Sequence, residues 1–121
     1  MIDPSQEQKF HDTLVDPAQS IGLRYQAVFE LKNIDTPLAI NKLMEAYPHL
    51  SQSVLLSHEV LYTLGQLPDD KAPLVKDFLV KSMQDVKENA LSRHEAAEAL
   101  ANYFWPELPD LYKAHLDSQC D

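Results

Sequence analysis

The sequence predicts an all-α chain of stacked helical hairpins, and three observations carry that prediction. Only two glycines, Gly22 and Gly65, stand against eight prolines, which leaves little for tight β-turns and suits helices punctuated by proline. Apolar residues recur at helical spacing. Three of the resulting helices also align with one another along their length, so the chain is built from a repeated unit.

The helices follow in order. A polar first helix is expected up to Val15, starting near Ser5, and Asp16-Pro17 ends it because the residue before proline resists helical angles. Ile21 to Asn33 carries Ile21, Leu23, Ala27, Val28 and Leu31 at helical spacing. Pro37 restarts the chain as a helix with Leu38, Ile40, Leu43 and Met44, running towards Tyr47-Pro48. Ser51 or Ser53 caps the next helix, which holds His58 and Glu59 and closes near Gly65. Lys71 to Gln84 has Leu74, Val75, Phe78, Leu79 and Met83 as its expected buried stripe. Asp85 to Asn89 reads as a polar turn, Ala90 to Tyr103 as a helix broken at Trp105-Pro106, and Leu108 to Leu116 as a short last helix.

The repeat is visible in the residues themselves. Tyr25-Gln26-Ala27-Val28-Phe29-Glu30-Leu31 aligns with His58-Glu59-Val60-Leu61-Tyr62-Thr63-Leu64, and that with His94-Glu95-Ala96-Ala97-Glu98-Ala99-Leu100, at offsets of 33 and 36 residues. Such a period suits helix pairs of the HEAT type, whose apolar faces are buried only against neighbours. The expected architecture is a short right-handed α-solenoid, a single HEAT-like repeat domain over residues 1–121 with about three hairpins and a short C-terminal helix.

Composition narrows the function. A chain of 121 residues with 45% hydrophobic and 24% charged residues has the balance of a globular domain, and its net charge of −9 argues against a nucleic-acid footprint, which needs clustered Lys and Arg on one face. Cationic partners fit better. Cys120, the lone cysteine, has no internal disulfide partner and points to a reducing, cytoplasmic setting. No apolar run approaches the ~18 residues of a membrane span, and no signal-peptide start is present.

The candidate chemistry lies in the two His-Glu pairs. On a helical wheel Leu56, Val60, Leu61 and Leu64 fall on one side, while His58, Glu59, Tyr62 and Gly65 share an arc of about 120° on the other. The second pair repeats this, with Ala96, Ala97, Leu100 and Tyr103 behind and His94, Glu95, Glu98 and Ala101 in front. An isolated His-Glu dipeptide is ordinarily a surface feature. Two at equivalent repeat positions, opposite the apolar stripe, make His58, Glu59, His94 and Glu95 a candidate ligand set. Two imidazoles and two carboxylates suit Fe(II), Mn(II) or Zn(II) rather than a thiolate-seeking metal. A zinc-protease helix needs a second His four residues on, where Tyr62 and Glu98 stand instead. Tyr25 and Gln26 offer the first unit no comparable ligand pair. Glu98, one turn beyond His94, is placed to support a ligand or to meet a cationic substrate. His11, His49 and His115 have no repeated carboxylate partner and read as ordinary surface residues.

Taken together, Leu14-Val15-Asp16-Pro17, Arg24 to Leu31, Leu55-Leu56-Ser57-His58-Glu59 with Leu64-Gly65-Gln66, and Arg93 to Leu100 resemble deoxyhypusine hydroxylase. That family consists of HEAT-repeat non-haem di-iron monooxygenases. The resemblance implies that His58, Glu59, His94 and Glu95 are iron ligands, that Gly65 leaves space for the substrate chain, and that O2 is the co-substrate. It further implies hydroxylation of the deoxyhypusine side chain of translation initiation factor five-A, which is a long cationic polyamine. Ala101 departs from the family's glycine after the second pair. Two pairs are present where the family has four, so a twofold homodimer is expected to complete the site. The competing expectation is a HEAT-repeat protein-interaction module, with or without a metal and without hydroxylase activity; a third is a half that needs a separate second polypeptide.

Overall fold

A computed structural model describes residues 4–103. Six α-helices form this part of the chain: α1 (Pro4–Val15), α2 (Ile21–Ile34), α3 (Pro37–Ala46), α4 (Val54–Leu64), α5 (Ala72–Gln84) and α6 (Ala90–Ala101). Short 3-10 turns, Tyr47–Leu50 and Asp69–Lys71, lead into α4 and α5. The expected helix at Leu108 to Leu116, the break at Trp105-Pro106, His115 and Cys120 lie outside the described residues. No described helix is long and apolar enough to cross a membrane.

Local chemistry sets the boundaries. Ser20, Thr36, Ser53 and Asn89 each accept a hydrogen bond from the backbone N–H three residues on, which satisfies one of the free donors in a first turn. Of the two serines proposed to cap α4, Ser53 does so, through Leu56 N. α2 ends at Asp35, whose φ of 54° is the left-handed conformation that closes a helix, with its N–H donating to Leu31 O.

The helices stack in two layers. α1, α3 and α5 lie side by side in one, α2, α4 and α6 in the other, and each hairpin joins the layers. The expected repeat is therefore physical, because the three aligned segments are the three helices of one layer. The core between the layers is aliphatic, with Leu14, Leu31, Ile40, Leu43, Leu56, Leu61, Leu64, Leu79, Met83 and Leu100 fully buried. Burying each such side chain contributes roughly 1.5–3 kcal/mol before entropy is counted. The apolar backs expected for α4 and α6 are buried throughout. Tyr47 adds an edge contact to Phe78, ring centroids 5.5 Å apart.

Leu74, expected in the buried stripe of its helix, stands out in solvent, as do the apolar residues Leu38, Ile21 and Leu23. Leu74 and Leu38 are exposed because α5 packs along Val75, Leu79 and Met83 and α3 along Ala39, Ile40 and Leu43, lines from which their neighbours point about 100° away. Ile21 and Leu23 are exposed in the first turn of α2, short of its buried stretch at Ala27, Val28 and Leu31.

One set of contacts fixes how α2, α4 and α6 are each rotated. Arg24 Nε donates to Leu14 O at 2.9 Å, Ser57 Oγ to Leu50 O at 2.8 Å, and Arg93 Nε to Met83 O at 3.0 Å. All three donors precede the aligned positions Tyr25, His58 and His94, and all three acceptors lie at or near the end of the element before. Leu14 and Met83 lie in the last turns of their helices, where carbonyls lack an intrahelical donor, while Leu50 O accepts from Ser53 N as well. Each side-chain bond pins the helix that presents the next residue.

Candidate metal centre

Because α2, α4 and α6 are neighbours in one layer, their equivalent residues form rows across it. Tyr25, His58 and His94 make one row, and Gln26, Glu59 and Glu95 the next. The structure connects these rows diagonally, one repeat to the following one. Tyr25 donates its hydroxyl proton to Glu59 Oε2 at 2.8 Å, and His58 Nδ1 approaches Glu95 Oε2 to 3.3 Å. His94 has no described repeat beyond it, and its Nε2 lies 3.1 Å from Glu98 Oε1 on its own helix.

Of the four expected ligands, then, His58 and Glu95 meet across α4 and α6, while Glu59 is held by Tyr25 and His94 by Glu98. Among the described residues no three His, Cys, Asp or Glu side chains gather closely enough to hold a metal ion. The His58–Glu95 pair has the nitrogen and oxygen chemistry of a borderline divalent cation site. Two donors are too few for such an ion, so the pair fits a metal as part of a larger ligand set.

The electrostatics of the pair are unequal. Glu95 is 8% exposed, and burial pushes its carboxyl above the usual carboxylate range, against the opposing pull of the His58 imidazole. Glu98 and Glu59 add like charge nearby and push the same way, while His94 pulls downward. A cation placed against Glu95 would relieve that cost. The Tyr25 phenol is raised from its ordinary value, first because it donates its proton to the Glu59 carboxylate.

An open groove of about 360 Å³ adjoins the pair, lined by Tyr62, Gln66, Glu95, Glu98 and Asn102 among others. Two carboxylates and, among the described residues, no cation in that lining suit a positively charged ligand. Gly65 has a packing task between α4 and α6. A Cβ there would lie 2.7 Å from Ala99 Cα and 2.8 Å from Ala99 Cβ, so its missing side chain makes room for α6. Asn102 Nδ2 donates to Gly65 O at 3.0 Å and Tyr103 Oη to Leu64 O at 2.6 Å, which clamps the end of α4 to the end of α6. The close approach at Gly65 thereby sets the spacing across which His58 meets Glu95.

Sequence reasoning missed Tyr25. It offers no ligand pair, yet it aligns with His58 one repeat earlier, and that alignment is the signal the sequence holds. Arg24 and Arg93 were missed for want of any sign of what they reach. His11 lies 3.3 Å from Asp12 Oδ1, on its own helix, and His49 is exposed.

No family model matches the chain. It is 34% identical to the deoxyhypusine hydroxylase of Bos taurus and 35% identical to that of Homo sapiens, in both cases over 116 residues. Each alignment takes in 95% of this chain and 36% of the relative, so the chain spans little more than a third of those proteins. A solved structure of human deoxyhypusine hydroxylase in complex with glycerol superposes with a TM-score of 0.75 at 36% identity, over 91% of this chain and 36% of that one.

Proposed function

We propose that this chain, similar to deoxyhypusine hydroxylases over 95% of its length, provides half of a hydroxylase's metal centre. In this reading His58, Glu59, His94 and Glu95 face a second copy of the same surface, and the two faces together supply four His-Glu pairs. The observation that carries the reading is the 3.3 Å approach of His58 to Glu95, made across neighbouring helices at matched repeat positions. Residues 1–121 act as one repeat domain in the cytoplasm.

The donor set fits iron, which when bound supplies the activation of O2. One oxygen atom enters a C–H bond of the substrate as hydroxyl, and the other leaves as water with two electrons and two protons from an external reductant. The chain's own part is binding and geometry. His58 and His94 offer neutral nitrogen donors, and Glu59 and Glu95 offset cation charge. Glu98 and the acidic groove receive a cationic side chain such as the deoxyhypusine of translation initiation factor five-A. Leu55, Tyr62 and Leu91, all about half exposed, flank the His-Glu rows and favour cover by a partner that excludes water.

The test is direct. Purified chain with Fe(II) and reductant is expected to add one oxygen to the deoxyhypusine-bearing factor, and the His58→Ala/His94→Ala variant is expected to add none. Full iron occupancy without added oxygen would reject hydroxylase activity. Partner binding that survives the double substitution, with no turnover by either protein, would favour an interaction module.

A further inference from the structure

Tyr25 is tied to the candidate centre in a way that stability does not explain. The Tyr25 ring and Glu59 are both only partly buried, so water could serve both groups, and a hydrogen bond between them contributes little to folding. Its geometry is nonetheless well determined. Arg24, the residue before, is bonded to Leu14 O, and Phe29, one turn on, holds the Tyr25 ring at a centroid distance of 5.3 Å. The hydroxyl then meets one carboxylate oxygen of Glu59, Oε2, at 2.8 Å. It repeats the diagonal step by which His58 meets Glu95.

A carboxylate with both oxygens free can swing between one-oxygen and two-oxygen contact with a cation. A phenol donating to one oxygen removes that freedom and fixes the rotamer, as outer partners of metal ligands do elsewhere. We propose that Tyr25 is a positioning residue for the metal half-site, occupying Oε2 of Glu59 and leaving Oε1 as the oxygen open to a cation. This inference rests on the metal-centre reading above, and it extends the site to a repeat that carries no ligand of its own.

Tyr25→Phe tests it, because the variant keeps the ring and its packing on Phe29 and removes only the hydroxyl. Titration of the intact chain with Fe(II) under anaerobic conditions is expected to show affinity lower by about 10- to 100-fold, with an unchanged melting curve. Co(II) bound to the variant is expected to absorb more weakly than in wild type, because a two-oxygen Glu59 raises the coordination number. In a Glu59→Gln background the same substitution is expected to change affinity no further. Equal Fe(II) affinity in wild type and Tyr25→Phe, or additive losses in the double variant, would overturn the inference and leave the metal centre standing. Failure of the wild-type chain to bind Fe(II) or Co(II) would instead overturn the metal centre, and Tyr25's role with it.

Discussion

Glu95 sits where a carboxylate is costly to keep ionised, 8% exposed and with its proton favoured by burial. The sign of the consequence follows from linkage. An acid whose folded pKa is raised contributes stability at pH values below its unfolded pKa, and that stability is lost as pH rises through the folded value. In the metal-free chain Glu95→Gln is therefore expected to raise the melting midpoint by a few degrees at neutral pH. The difference should vanish in acid, where the wild-type carboxyl is protonated in both states. Removing the charge leaves no stranded partner, since the His58 side chain is 43% exposed. The same substitution should weaken Fe(II) binding, a trade of stability against function that marks a site residue. A midpoint lowered at neutral pH would mean that the pairing with His58 outweighs desolvation.

At the scale of helices, the contact that matters is Gly65 against Ala99. A Cβ at Gly65 would fall 2.7 Å from the Ala99 backbone, so Gly65→Ala must push α4 and α6 apart. Overpacking of this kind costs roughly 1–3 kcal/mol, readable as a lower urea midpoint. Ala99→Gly should not rescue it, because the nearest atom is Ala99 Cα and remains. Metal affinity should fall with stability, since the His58–Glu95 approach spans the same two helices; unchanged affinity would separate the packing from the site. The layer that positions these residues was legible in the sequence, because the apolar stripes of α4 and α6 and the aligned segments depend on spacing along the chain. The pairing within the layer was not. Whether His58 meets Glu59 or Glu95 depends on how neighbouring helices are offset, and although Arg24, Ser57 and Arg93 recur at the repeat spacing, nothing along the chain says that they reach the carbonyls of Leu14, Leu50 and Met83. Leu74 is exposed against expectation for a related reason: apolar character alone does not say which line along a helix its neighbours will cover.

For the molecule as a whole, charge decides how two copies can meet. Each chain carries a net charge of −9, and the layer of α2, α4 and α6 carries Glu59, Glu95 and Glu98 on the face proposed to oppose its twin. Two such faces repel at close range, where carboxylates a few ångströms apart are little screened even by salt with a Debye length of about 8 Å. The apolar side chains Leu55, Tyr62 and Leu91 favour association, and a divalent cation between the faces would turn repulsion into attraction. Association and metal binding should therefore be linked, each strengthening the other by mass action. Native mass spectrometry is expected to find two chains with two irons after loading with Fe(II), and a shift towards the monomer after chelation. High salt should favour the metal-free dimer modestly, while His58→Ala/His94→Ala should leave the monomer–dimer balance insensitive to iron. A chain that stays monomeric and metal-free at saturating Fe(II) would remove the shared centre altogether. A dimer indifferent to iron would mean that the copies meet through another face.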